Sequence, residues 1–310
     1  MARVDELVII EAAINGVTSK AANPSCPQTP AEIAADALAC LAAGAAIVHN
    51  HNAEFAVDGA RAAEIYLEAW RPVLRARPDA ILYPTLGYGT TIVERYAHVP
   101  LLAERGGMRM SFFDTGSVNL GGVDAEGLPG GAEFVYVNSF ADIRYKASVC
   151  ERYRLAPSIA IFEPGFLRVA LAYERAGRMP RGAFVKLYFG DGYLGGAGFG
   201  LPATRPALDA YLDMLEGSRL PWAVAVLGGD VVESGMAQLA LERGGHVRVG
   251  LEDYGGARKP GNVELVAEVC ALAREVGRPV ATSTQAASVL GMQAKQAKGD
   301  TLIYREKGTG

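Results

Sequence analysis

The chain has 310 residues, of which 50% are hydrophobic and 21% charged, with a formal net charge of −4. That length suits one large α/β domain with a sizeable core, and the weak negative charge gives no electrostatic basis for binding nucleic acid or an anionic membrane. No stretch approaches the ~18–20 apolar residues of a membrane span. The opening MARVDELVII also lacks the basic start and cleavage site of a secretory signal, so a cytoplasmic protein is expected.

The first segment, LVIIEAAI (7–14), is short, apolar and β-rich, and it ends at Asn15-Gly16, so it reads as a buried strand. Thr29-Pro30-Ala31-Glu32 is a capping box with proline at the first helical position, opening a helix that runs to Gly44. AAIVHNH (45–51) is the second strand. Alternation then continues: helix 60–76, strand 80–85, helix 92–105, strand 108–113, a long loop, strand 134–137, helix 139–154, strand 158–162, helix 164–177, strand 183–189, helix 204–217, strand 222–227, helix 232–243, strand 246–251 and helix 260–277. Strands alternating with helices and no linker predict one closed (β/α)8 TIM barrel, an α/β fold in a single catalytic domain over 1–290. A doubly wound open sheet is the alternative. Residues 291–310 form a polar tail, either disordered or an oligomerisation arm. The four cysteines (Cys26, Cys40, Cys150, Cys270) have no CxxC spacing, and those in apolar helical patterns are expected to be free buried thiols.

Function in such a barrel sits where strands end. Strand 2 closes with His49-Asn50-His51, and alternation turns both imidazoles to one side. At that spacing both can reach one metal, with Zn–N bonds of about 2.0–2.1 Å; the bland alternative is two separately satisfied polar histidines. The last strand closes with Arg248-Val249-Gly250-Leu251-Glu252-Asp253, where Arg248, Gly250 and Glu252 share one parity. His49, His51 and Glu252 would form a His2Glu zinc site with an open position. Otherwise the acids merely follow a strand, with Arg248 as their surface partner. Loops 84–89 (with Thr85 and Gly87) and 115–119 (with Asn119) carry hydroxyls and free N–H groups suited to an anion, although turn-forming composition explains them as well. The glycine-rich segment 189–200 could be a lid; it lacks the strand–GxGxxG–helix context of a dinucleotide site.

AAING, TPxEIA, AAGAAIVHNH, GSVNLG, GGHVRVGLED and EVGRPVAT together resemble the β-keto acid cleavage enzymes, from strand 1 to the last helix. The resemblance implies a zinc-dependent (β/α)8 barrel that uses acetyl-CoA to cleave a β-keto acid into acetoacetate and a new acyl-CoA, assembled as a homotetramer or homodimer. It implies His49, His51 and Glu252 as zinc ligands, Asp253 as general base and Arg248 as the group that orients it. Thr85 and the Gly87 backbone would hold the substrate carboxylate, and Ser111 or Phe112 stands where a second carboxylate-binding hydroxyl is usual. Thr18 occupies the place of an acid that binds a substrate ammonium, and the Ala53 region replaces an arginine. Glu11, within strand 1, either binds a cation or pairs with an arginine inside the barrel. Other readings of the same metal site are an aldol-type lyase or hydrolase without coenzyme A, and a non-catalytic ligand-binding barrel.

Overall fold

Local rules decide where the first helix begins. Thr29 is extended, its side chain accepts from the Glu32 N–H, and Glu32 caps back onto the Thr29 N–H, with Pro30 at the first position. The computed structural model describes residues 6–52, 54–126, 128–190 and 200–293. In chain order its elements are β1 (Ile10–Ala13), α1 (Pro30–Ala43), β2 (Ile47–Asn50), α2 (Gly59–Ala76), β3 (Ile81–Pro84), α3 (Ile92–Arg95), α4 (His98–Gly106), β4 (Met110–Phe112), β5 (Val118–Val123), β6 (Pro129–Tyr136), α5 (Phe140–Tyr153), β7 (Ala156–Ile161), α6 (Pro164–Arg175), β8 (Phe184–Gly190), β9 (Leu201–Pro202), α7 (Arg205–Met214), β10 (Trp222–Leu227), α8 (Met236–Glu242), β11 (His246–Val249), α9 (Asn262–Glu275) and α10 (Ser283–Val289).

Eight parallel strands pair in the order β3-β2-β1-β11-β10-β8-β7-β4. The two ends of that path, β3 and β4, lie against each other, so the sheet curls into a nearly closed barrel rather than an open doubly wound sheet. One predicted strand does not belong to it. Residues 134–137 largely coincide with the end of β6, which pairs antiparallel with β5 in a separate hairpin, Val118 opposite Tyr136. A four-residue apolar run carries no information about its partner, and Val135 is in fact exposed. The same hairpin takes up Asn119, which the sequence assigned to a loop.

Inward side chains follow strand parity. At the N-terminal end, Ile9, Ile47, Ile81, Met110 and Phe184 pack with Ala286 and Ala287 of α10 and with Leu290 at its C-cap, so that α10 plugs the barrel. Burying each large aliphatic or aromatic side chain contributes about 1.5–3 kcal/mol. The polar sequence of α10 hid it from pattern reading, though Thr282 and Gln285 form a capping box there. Above this apolar layer, Glu11, Tyr83, Ser158, Lys186 and Arg248 form a polar one, all buried. Cross-strand register sets Glu11 beside Arg248, Ala13 beside His49, and His49 beside Tyr83. The glycine-rich segment 191–199, Ala53, and the tail from 294 onward lie outside the described residues.

Candidate active site

Strand β2 delivers both histidines to the C-terminal mouth. Asn15 holds the backbone of His51, accepting its N–H at 2.8 Å and donating to its carbonyl at 3.1 Å. The chain after β11 brings Glu252 toward them. Gly250, at φ 144°, lies so close to β1 that a Cβ would stand 2.1 Å from the Ala13 carbonyl oxygen, and the Glu252 N–H donates to that same oxygen at 3.1 Å. Gly16, at φ 55°, leaves the room that the Glu252 side chain fills. As a result Glu252 Oε2 stands 3.2 Å from His49 Nε2, and Oε1 stands 3.4 Å from His51 Nε2. The three donor groups lie within 4.8 Å of one another.

This triad meets the requirements of a metal-binding set. Ligands on a tetrahedral ion with bonds of about 2.0–2.1 Å are separated by roughly 3.3 Å, close to both observed spacings. The His49 Nδ1 lies 3.2 Å from the Tyr83 carbonyl, an acceptor only, so Nδ1 carries the proton and Nε2 presents a lone pair. Burial pulls His49 down to about 4, which keeps that imidazole neutral. Glu252 Oε2 accepts no hydrogen bond among the described residues although it is buried. Two lone pairs facing each other at 3.2 Å repel unless a cation lies between them.

Arg248 organises the carboxylates around this triad. Its Nη2 is 2.8 Å from Glu252, its Nη1 is 2.8 Å from Glu11, and its Nε is 2.7 Å from Asp253. Burial pushes the Glu252 carboxyl up, but it is held well below the usual carboxylate range, with the Arg248 guanidinium the largest opposing charge. For Asp253, burial prevails over Arg248 and raises the carboxyl. Burial also acts to raise Glu11, yet Lys186 and Arg248 bring it down to about 2. Lys186 closes the network, donating to Tyr83 Oη at 2.6 Å, to Ser158 Oγ, and to Glu11 at 3.3 Å.

Above these groups lies a cavity of about 270 Å³, lined on one side by His49, His51, Thr85, Arg248 and Glu252. Asp253 sits behind that wall, gripped by Arg248. Of the other expected residues, Thr85 faces the cavity. The Gly87 N–H donates to the Arg95 carbonyl at 2.9 Å and is not free for a carboxylate. Ser111 is fully buried on the outward face of β4, 2.7 Å from the Tyr96 hydroxyl, while Phe112 lines the cavity. Asn119 points to solvent on β5, whereas its neighbour Leu120 faces inward. Thr18 donates to the Leu251 carbonyl at 2.7 Å, bracing the turn beside Glu252. Glu11 lies beneath the cavity at 0% exposure, paired with Arg248 and Lys186. The Thr115 hydroxyl is likewise spent, on the Phe166 carbonyl.

Sequence reading missed Tyr83, Ser158 and Lys186, which line the cavity floor, and Asp114, on its wall. A lysine inside the apolar strand AFVKLYF, with a glutamate inside LVIIEAAI, was the available signal: each charge demands a buried partner. The remaining histidines are structural. His98 Nε2 lies 2.8 Å from the Thr85 carbonyl, and His246 Nδ1 accepts from the Ile9 N–H.

Comparison with known proteins agrees with this geometry. Residues 7–292 match the family model described as beta-keto acid cleavage enzyme. The chain is 31% identical over 298 residues to the 3-keto-5-aminohexanoate cleavage enzyme of Fusobacterium nucleatum, covering 93% of this chain and 99% of that protein. It is 29% identical over 303 residues to the 3-oxoadipate:acetyl-CoA acetyltransferase of Cupriavidus necator, covering 94% and 97%. Among solved structures, a ternary complex of ObcA with a C4-CoA adduct and oxalate shares the fold, with a TM-score of 0.63 at 18% identity, covering 87% of this chain and 68% of that one. A two-histidine strand end facing a Glu-Asp strand end across a barrel mouth, together with a match over nearly the whole length, places the chain in the β-keto acid cleavage enzyme family.

Proposed function

We propose that this chain is a zinc-dependent enzyme that transfers acyl groups between a β-keto acid and acetyl-CoA: R–CO–CH2–COO⁻ plus CH3–CO–S–CoA gives R–CO–S–CoA plus CH3–CO–CH2–COO⁻. Family membership and the printed name of the Cupriavidus relative support the reaction class. The observation that carries the reading is the convergence of His49, His51 and Glu252 at the cavity wall, with Arg248 and Asp253 directly behind.

His49, His51 and Glu252 would hold the metal. Zinc bound there would polarise the carboxylate and keto oxygens of the substrate and so acidify its C2 position. Asp253, whose carboxyl burial makes more basic and which lies behind the cavity wall, takes the C2 proton through one bridging water, and Arg248 keeps it beside Glu252. The Thr85 hydroxyl, at the cavity edge, donates to the substrate carboxylate. Closure of the barrel floor by Glu11, Lys186 and Tyr83 excludes water beneath the reacting carbons. That the four cysteines are buried free thiols supports a reducing, cytoplasmic setting.

The test is direct. Purified protein given a β-keto acid and acetyl-CoA is expected to form acetoacetate and the new acyl-CoA in equal amounts, with about one zinc per chain. Cleavage that proceeds equally without acetyl-CoA would overturn the transfer reaction in favour of a lyase or hydrolase on the same site.

A further inference from the structure

We propose that the cavity selects β-keto acids whose tail is apolar, alkyl or aryl, over those whose tail ends in an ammonium or a carboxylate. This selectivity rests on the reaction proposed above and concerns the wall facing the metal-binding residues.

That wall is built from Leu120, Phe162, Leu227 and Phe112, and the Tyr188 ring joins it to the Arg248 guanidinium, which lies 5.4 Å from the ring centre. Tyr188, Leu227, Leu120 and Phe162 pack as one apolar cluster together with Ala160 and Ala225. They come from the β7, β8 and β10 side of the barrel and from the hairpin, whereas His49, His51, Glu252 and Arg248 come from β2 and the chain around β11. A substrate with its carboxylate and keto oxygens at the latter therefore directs its tail at the former.

Among the described residues, two other charged groups line the cavity, and both are committed. Asp114 Oδ2 accepts from the Tyr136 hydroxyl, and Oδ1 accepts the Ala160 N–H at 3.2 Å. The Asp114 charge already faces the Lys146 and Lys186 ammoniums, so a tail ammonium there would meet two cations together with the one anion. Lys186 has three donors, and they serve Tyr83, Ser158 and Glu11. A tail carboxylate would have to displace Glu11, which is fully buried and needs that cation. A charged tail thus loses its hydration and gains no partner, whereas each methylene of an apolar tail leaves water, an effect of about fourfold per carbon.

The experiment has two arms. In the first, kcat/KM is measured with acetyl-CoA for 3-oxohexanoate, 3-oxo-5-phenylpentanoate, 3-oxoadipate and 5-amino-3-oxohexanoate, with acetoacetate as the readout. In the second, calorimetry without acetyl-CoA measures binding of the same four acids. The apolar acids are expected to exceed the charged ones by at least about 100-fold in the first arm and to bind more tightly in the second. Charged acids equal to or better than the apolar pair in both arms would overturn the selectivity. If no acid gives acetoacetate while the apolar pair still binds best, the reaction fails and the selectivity stands. Leu120→Arg, on the hairpin outside the barrel, should narrow the preference for 3-oxohexanoate over 3-oxoadipate at least about tenfold. An unchanged ratio in a variant with wild-type melting temperature would show that Leu120 does not meet the tail.

Discussion

Arg248 grips both carboxylate oxygens of Asp253, Nε to Oδ2 at 2.7 Å and Nη2 to Oδ1 at 3.1 Å. A planar guanidinium fixes a carboxylate in orientation as well as charge. It spans five residues of chain because the turn at Gly250 folds the segment after β11 back over its own arginine. Asp253→Asn keeps the shape and the metal-binding residues but cannot accept a proton. Its rate of deuterium exchange at substrate C2 should fall about 10²–10⁴-fold with zinc content unchanged. Exchange at the wild-type rate would remove Asp253 from the role of base.

The proposed metal-binding set makes a separate prediction. His49→Ala removes one of three ligands from a group whose members already lie at ligand spacing. Zinc measured by mass spectrometry should drop from about one per chain to near zero, and acetoacetate formation should drop with it. Dialysis of the wild type against a strong chelator should abolish turnover, and added zinc should restore it. Full activity in chelated, metal-free protein would show that the triad is only an ion pair.

Glu11 and Lys186 should be coupled in stability. Both are buried and lie 3.3 Å apart, and Arg248 shares the same carboxylate. Lys186→Met removes one cation from a buried anion and should cost about 3–5 kcal/mol in urea unfolding. Adding Glu11→Gln should recover much of that loss, because Arg248 is then no longer left to balance three buried carboxylates alone. Additive losses in the double variant would show that the two residues act independently.

Asp36 on α1 provides a pH-dependent signature. Its carboxylate accepts from Asn262 Nδ2 at 2.6 Å, and burial raises its pKa to about 6 from 3.8. The folded chain therefore holds a proton that the unfolded chain releases between about pH 4 and 6. Stability from this group is complete below pH 4 and lost as pH rises through 6, by at most about 3 kcal/mol. Asp36→Asn should be progressively more stable than wild type across that window. A stability difference that stays constant between pH 4.5 and 7 would contradict the raised value.

Much of this molecule can be read locally. The capping box at Thr29, the HxH strand end and the RxGxED strand end are short-range patterns, and strand parity alone turns His49 with His51, and Arg248 with Glu252, to a common side. The same parity, applied to β4, would have preferred Phe112 over Ser111 for the interior. The uses of Thr18 and Gly87 were less accessible, because each depends on a carbonyl elsewhere in the fold that takes its donor.

Sequence by itself determined the fold class, the strand ends that converge at the barrel mouth and the residue types able to hold a metal, since side-chain alternation and helix capping act within a few residues. Only tertiary structure decided that residues 134–137 leave the barrel, that Lys186 finds Glu11 across 175 positions, and that an apolar wall faces the triad. Those outcomes depend on which strands become neighbours when the sheet closes, and no local periodicity encodes a neighbour.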